Sequence, residues 1–156
     1  MTKTAKLLPS SKSSPPSEAL CSTSGCWVSP DFDDSSWAVE NAAWGTRNTD
    51  EDYYYPRIKN DWSTENSDIY IRRTVTLTAN DLKHKLCLMA RNDDDIHFYV
   101  NGKLVAEWDY SNHETYRHLF TDDQRALFHV GENLIAVRCH NGGGPAYVDF
   151  GLYYVE

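Results

Sequence analysis

Catalysis or ligand binding in this chain has to come from its carboxylates, histidines, cysteines or aromatic rings. Asp93, Asp94 and Asp95 form the densest acidic run. On a strand edge Asp93 and Asp95 share a face roughly 7 Å apart, within the separation of inverting glycosidase carboxylates. Such a pair must flank a substrate cleft, however, and two residues at one strand end line a single wall. Their expected work is to cap backbone amides or meet an arginine, and no catalytic residue is assigned. The six histidines give no transition-metal spacing: His113 and His118 lie five apart and His140 stands alone. Among the four cysteines, Cys21 and Cys26 fit a short loop disulfide if the chain is exported, and Cys87 and Cys139 fall in strands as buried thiols. Ser24-Gly25-Cys26-Trp27, with His140 and Asn141 downstream, is similar to the nucleophile region of papain-like proteases. That reading fails, because Val28-Ser29-Pro30-Asp31 cannot open the long helix such a nucleophile needs.

The 156 residues suit one domain and bury roughly two-thirds of the unfolded surface. A net charge of −8 and a pI of about 5.1 argue against nucleic acid and anionic membranes, since no phosphate footprint is present. No apolar run approaches the ~20 residues of a membrane span, and no apolar leader follows Met1. Ten tyrosines and five tryptophans are rich for a small domain. They fit either the core of an all-β fold or a stacking surface for sugar rings.

The elements follow from periodicity. Ile96, Phe98 and Val100 alternate with His97 and Tyr99, Asn101-Gly102 supplies the two positive-φ positions of a type I′ turn, and Leu104, Ala106 and Trp108 resume the alternation. Ile69, Ile71, Val75 and Leu77 share a face with Arg73, which needs a carboxylate or carbonyl partner if it points inward. Leu86, Leu88 and Ala90 form the next inward set. Strands over Tyr116 to Phe120, Leu134 to Cys139 and Ala146 to Val155 complete the pattern. Thr121-Asp122-Asp123-Gln124 is a capping box opening one short helix. Residues 1 to 19, rich in Lys, Ser, Thr and Pro, read as a disordered tail or linker, leaving 20 to 156 as the domain. Phe32 and Trp37 flank an Asp33-Asp34-Ser35-Ser36 turn, and Trp37 is expected in the core. Seven or eight short strands and almost no helix describe an all-β antiparallel sandwich or jelly roll.

Phe32-Asp33-Asp34-Ser35-Ser36-Trp37, Ile69 to Leu77, Phe98 to Val105 and Val130 to Arg138 arrive in the order of galactose-binding-domain-like jelly rolls. Together they resemble the sugar-binding domain of family 2 glycoside hydrolases. The resemblance covers roughly residues 27 to 155. It implies a non-catalytic carbohydrate-binding or accessory module, secreted or periplasmic, whose partner is a carbohydrate or a neighbouring catalytic domain. A purely structural interdomain sandwich is the competing reading, and a small glycosidase a third. The resemblance also implies a structural calcium near the early turn, for which Asp31, Asp33, Asp34 and Glu156 offer oxygens. Side-chain-to-backbone hydrogen bonds explain the same turn without a metal. Binding surfaces of the fold lie on loops at one end. The loops 41 to 68, 109 to 115 and 140 to 145 are therefore the expected site, and the first and last depart from the generic pattern. Tyr54, Trp62 and Tyr110 would stack on the sugar. Asn112, His140 and Asn141 would meet its hydroxyls, and Arg57 would do either or bind an acidic sugar. Tyr53, Tyr54 and Tyr55 equally fit packing of their own loop.

Overall fold

The computed structural model describes residues 4–8, 26–46, 58–62 and 65–155, with side chains from residue 26 onward except those of 112–116. Two sheets face each other. The strands are β1 (Thr4–Leu8), β2 (Ala38–Asn41), β3 (Trp44–Gly45), β4 (Asn60–Asp61), β5 (Ser67–Leu77), β6 (Lys85–Asp93), β7 (Ile96–Val100), β8 (Lys103–Trp108), β9 (Asn112–Leu119), β10 (Gly131–Asn141) and β11 (Tyr147–Val155). One sheet runs β2-β1-β5-β10-β7-β8 and the other β4-β3-β11-β6-β9. All pairings are antiparallel except the short β3–β4 contact. This is the all-β sandwich that the periodicity predicts.

The core is built from alternate residues, as pleating requires. Ile69 and Ile71 of β5, Ile96, Phe98 and Val100 of β7, and Ile135 and Val137 of β10 point from one sheet. Leu86, Leu88 and Ala90 of β6 meet them from the other, with Val148 and Phe150 of β11 and Trp44 of β3. Each large side chain so buried contributes about 1.5–3 kcal/mol. Cys87 and Cys139 are buried free thiols.

The first sheet is covered on its second face too, and simple alternation misses this. Cys26, Trp27, Val28 and Trp37 form a cap over Tyr70, Tyr99, Leu134 and Ala136. Trp27 stands edge-on to Tyr70 at 5.0 Å and to Tyr99 at 5.5 Å, and Phe32 packs on Trp37 at 5.7 Å. Tyr99, expected on the solvent side of the hairpin, is therefore buried. Under the cap it is Arg72 that is fully buried, while its neighbour Arg73 lies half-buried on the core side. The required partners are present for Arg72. Its Nε donates to Asp34 Oδ2 at 2.9 Å, and its Nη1 donates to the carbonyls of Trp27 and Ser29. Cys26 is disulfide-bonded; Cys21 lies outside the described residues.

The hairpin turn has φ of 47° at Asn101 and 85° at Gly102, the positive pair of a type I′ turn. The return strand departs from expectation. A bulge between Phe98 and Tyr99 in the ladder shifts the register, so Val105 is buried and Leu104 is exposed. The capping box is formed as read: Thr121 caps α1 (Asp122–Arg125), and Gln124 reaches back to the Thr121 amide. The helix stops at Arg125. Residues 4–8 of the expected tail are instead strand, paired between β2 and β5. Eleven strands rather than seven or eight occur among the described residues, since the four early ones carry no clean alternation.

Candidate functional site

One end of the sandwich gathers the β6–β7 turn, the β8–β9 turn and the β10–β11 loop, and Asp94 ties all three. Its amide donates to the His140 carbonyl at 2.8 Å. Its Oδ1 accepts from the Ser111 hydroxyl at 2.8 Å, and its Oδ2 from the Gly142 amide at 2.8 Å. Ser111 also reaches Asp93. Burial pushes the Asp94 carboxyl up, but hydrogen bonds from Ser111, Gly142 and Asp93 outweigh it and hold the group below the usual carboxylate range. Asn92 lies fully buried beneath this layer. Its Nδ2 donates to the Asp94 and Tyr110 carbonyls, and its Oδ1 accepts from Trp108 Nε1 at 2.7 Å. Within the acidic run the carboxylate that caps a backbone amide is that of Asp94, whereas the reading from sequence named Asp93 and Asp95. The single proton of the Ser111 hydroxyl serves two carboxylates on one side of the loops.

A second polar group borders the first. Asp68 Oδ1 accepts from Arg138 at 2.9 Å from Nη2 and lies 3.0 Å from His140 Nδ1. Tyr70 donates to Asp68 Oδ2 at 3.2 Å. Burial first, then the Asp68 charge, pushes the Tyr70 phenol up to about 12. Because the His140 amide also donates to the Asp95 carbonyl at 2.8 Å, this group and the Asp94 tie form one continuous network.

The expected sugar contacts separate on this frame. Tyr110 is 55% exposed at the rim, and His140 sits half-buried beside Asp68. Asn141 is fully buried and shapes its own loop, accepting from the Gly143 amide at 3.1 Å. Trp62 is a correction: its ring is buried in the core, and its Nε1 donates to Ser67 at 3.1 Å, so no face is free for a sugar. A tryptophan bounded by polar residues gave no sign of this, because its burial comes from docking of β4 beside β3. Tyr53, Tyr54, Tyr55 and Arg57 lie outside the described residues, as does the side chain of Asn112. Asp94 and Asp68 were not expected as organisers. The acidic run flagged the first; nothing local marks Asp68 or Ser111.

Groups of the chain itself hold the early turn. Asp33 Oδ1 accepts from the Ser35 amide at 3.0 Å, Asp34 is paired with Arg72, and Asp31 is exposed. Glu156 lies outside the described residues. Among the described residues no cluster of three acidic, His or Cys side chains could hold a metal.

Comparison with protein-family models and with curated proteins finds no match. Solved structures do match. A glycosyl hydrolase family 2 member from Bacteroides cellulosilyticus DSM 14838 matches 99% of this chain with TM-score 0.60 and 18% identity. Beta-glucuronidases from Bacteroides uniformis and an uncultured Clostridium match 89% and 90% of it, with TM-scores of 0.53 and 0.56 and identities of 19% and 12%. In fold the chain resembles one domain of a family 2 glycosyl hydrolase. At these identities the likeness concerns the fold. The chain spans only 20%, 14% and 21% of those three proteins, so what they have in common with it is one small domain. No helix among the described residues is long and apolar enough to cross a membrane.

Proposed function

We propose that this chain is a non-catalytic carbohydrate-binding or accessory module of a polysaccharide-degrading enzyme, working in a secreted or periplasmic setting. The observation that carries the reading is the rim, where Asp94 ties three loops into one frame that presents Tyr110 and His140. A frame held by backbone amides keeps its loops in place without a ligand, which lowers the ordering cost of binding. The Cys26 disulfide supports an oxidising compartment. Asp93 and Asp95 stand on either side of Asp94 in the tight connection from β6 to β7 and so line one wall rather than two sides of a cleft, which speaks against a glycosidase pair.

A structural spacer is the second reading, favoured by one observation. All five tryptophans, Trp27, Trp37, Trp44, Trp62 and Trp108, are buried. A glycan-array screen of the full chain separates the two. Retention of a neutral glycan, weakened by Tyr110→Ala without loss of fold, is the expected result. A silent array leaves the spacer.

A further inference from the structure

The outer face of the five-stranded sheet carries an aromatic platform among cations. On β11 the odd residues point outward, opposite Val148 and Phe150 in the core. A Cβ added to Gly151 would lie 2.8 Å from Tyr153 Cε2, 3.1 Å from its hydroxyl and 3.2 Å from Cζ. Tyr153 therefore folds back across Gly151, with its ring against the sheet and 44% exposed. The glycine makes the room: any side chain there would lift the ring.

Tyr153 itself faces Cys87, which faces Leu119, and cations lie in the rows to either side. In the ladders Gly151 faces Met89, which faces Arg117, and Asp149 faces Arg91 in the adjoining row. Lys85 lies further along the same face of β6. Arg91 Nε is buried and makes no hydrogen bond. Strand spacing places Arg117 roughly 10 Å across from Gly151, and Arg91 lies on the diagonal at about 7–8 Å. Those are the dimensions of one or two sugar rings. Asp149 is the one acidic side chain among these positions, in a chain whose net charge is −8.

We propose that this face binds an acidic polysaccharide, with Tyr153 stacking on a pyranose ring and Arg117 and Arg91 meeting carboxylates of the chain. An aromatic ring matches the apolar side of a sugar, and a planar guanidinium matches a carboxylate through paired hydrogen bonds. The assignment rests on the reading of the domain as a carbohydrate module but uses a different surface from the loop rim.

Native gels containing polygalacturonate, or an equal mass of neutral β-glucan, test it on the full chain. Polygalacturonate is expected to retard the chain, neutral glucan to have no effect, and added salt to weaken the retardation. Tyr153→Ala and Arg117→Gln should each weaken binding at least tenfold, and Tyr153→Phe should keep it. Gly151→Ala should weaken binding with an unchanged melting temperature, because a flexible ring tip is what must move. Tyr110→Ala should leave it intact. Loss with Tyr110→Ala but not Tyr153→Ala would overturn this assignment and keep the rim as the site. Equal retardation by single-stranded DNA would reduce the face to a cation patch and overturn the sugar. No retardation by polygalacturonate also overturns it; the glycan array then says separately whether the module binds any carbohydrate.

Discussion

Arg72 shows how much one residue holds. Its guanidinium joins β5 to the cap through the Asp34 carboxylate and two carbonyls, all beneath Phe32 at 5.3 Å from the ring centre. Arg72→Ala would take this donor from all three acceptors and should cost about 3–5 kcal/mol in urea unfolding. Trp62→Ala should cost a similar 3–5 kcal/mol, as a core tryptophan does. A loss under about 1 kcal/mol for either would contradict its placement. Ionisation gives a further test. Asp94 is held below the usual carboxylate range, so its stabilisation is present above pH about 4 and is lost as pH falls through its lowered value. Ser111→Ala should therefore destabilise at pH 7, and the difference from the parent should shrink at about pH 2. Tyr70 behaves in the opposite sense. Its phenol sits at about 12, so its contribution is complete below about pH 10 and fades as pH climbs toward 12. Tyr70→Phe should flatten that alkaline loss.

The hairpin, the capping box and the strands from Ile69 onward were legible because each carries a local signal: alternation, Asn-Gly, or Thr followed by Gln three residues on. The buried cap was not, since Cys26, Trp27 and Val28 have no period. They become core only because β5 and β10 offer them a second face. Arg73 attracted attention on alternation, yet Arg72 needed the partners, for the same reason. At the site, two of the three connections, within 109 to 115 and 140 to 145, stand out by length and composition, while the β6–β7 turn and the tie through Asp94 do not. It joins residues from three turns, and no spacing encodes that. The Asn-Gly turn also does more than reverse the chain. Asn101 Nδ2 donates to the Leu127 carbonyl at 2.8 Å and to Asn133 Oδ1 at 3.0 Å, and Asn101 Oδ1 accepts from the Leu134 amide at 2.8 Å. Gly102→Val would force a β-branched residue to φ near 85° and should cost about 1–3 kcal/mol, read as a lowered melting temperature. Gly45→Ala should be worse tolerated, because its Cβ would collide with the Ala146 carbonyl oxygen, which is backbone and cannot swing away.

The molecule as a whole is layered: cap, first sheet, second sheet. Each layer buries the one beneath, so the cap's disulfide guards the outermost joint. Reduction of Cys26 should lower the melting temperature, and Cys26→Ser should cost about 2 kcal/mol. The same layering bears on how the chain reaches this state. The ladder of β5 with β10 pairs Leu77 with Gly131 and Ser67 with Asn141, so strands far apart in sequence must meet before the first sheet has a centre. Closing such loops costs entropy before any burial repays it, and sandwiches built this way fold in milliseconds to seconds. The β7–β8 hairpin can form early but has no partner until β10 arrives. During that interval Phe98, Val100 and Trp108, all buried in the finished domain, are open to water and to other copies of the chain. Expression yield should therefore depend more on the pairing of β5 with β10 than on any residue of the rim.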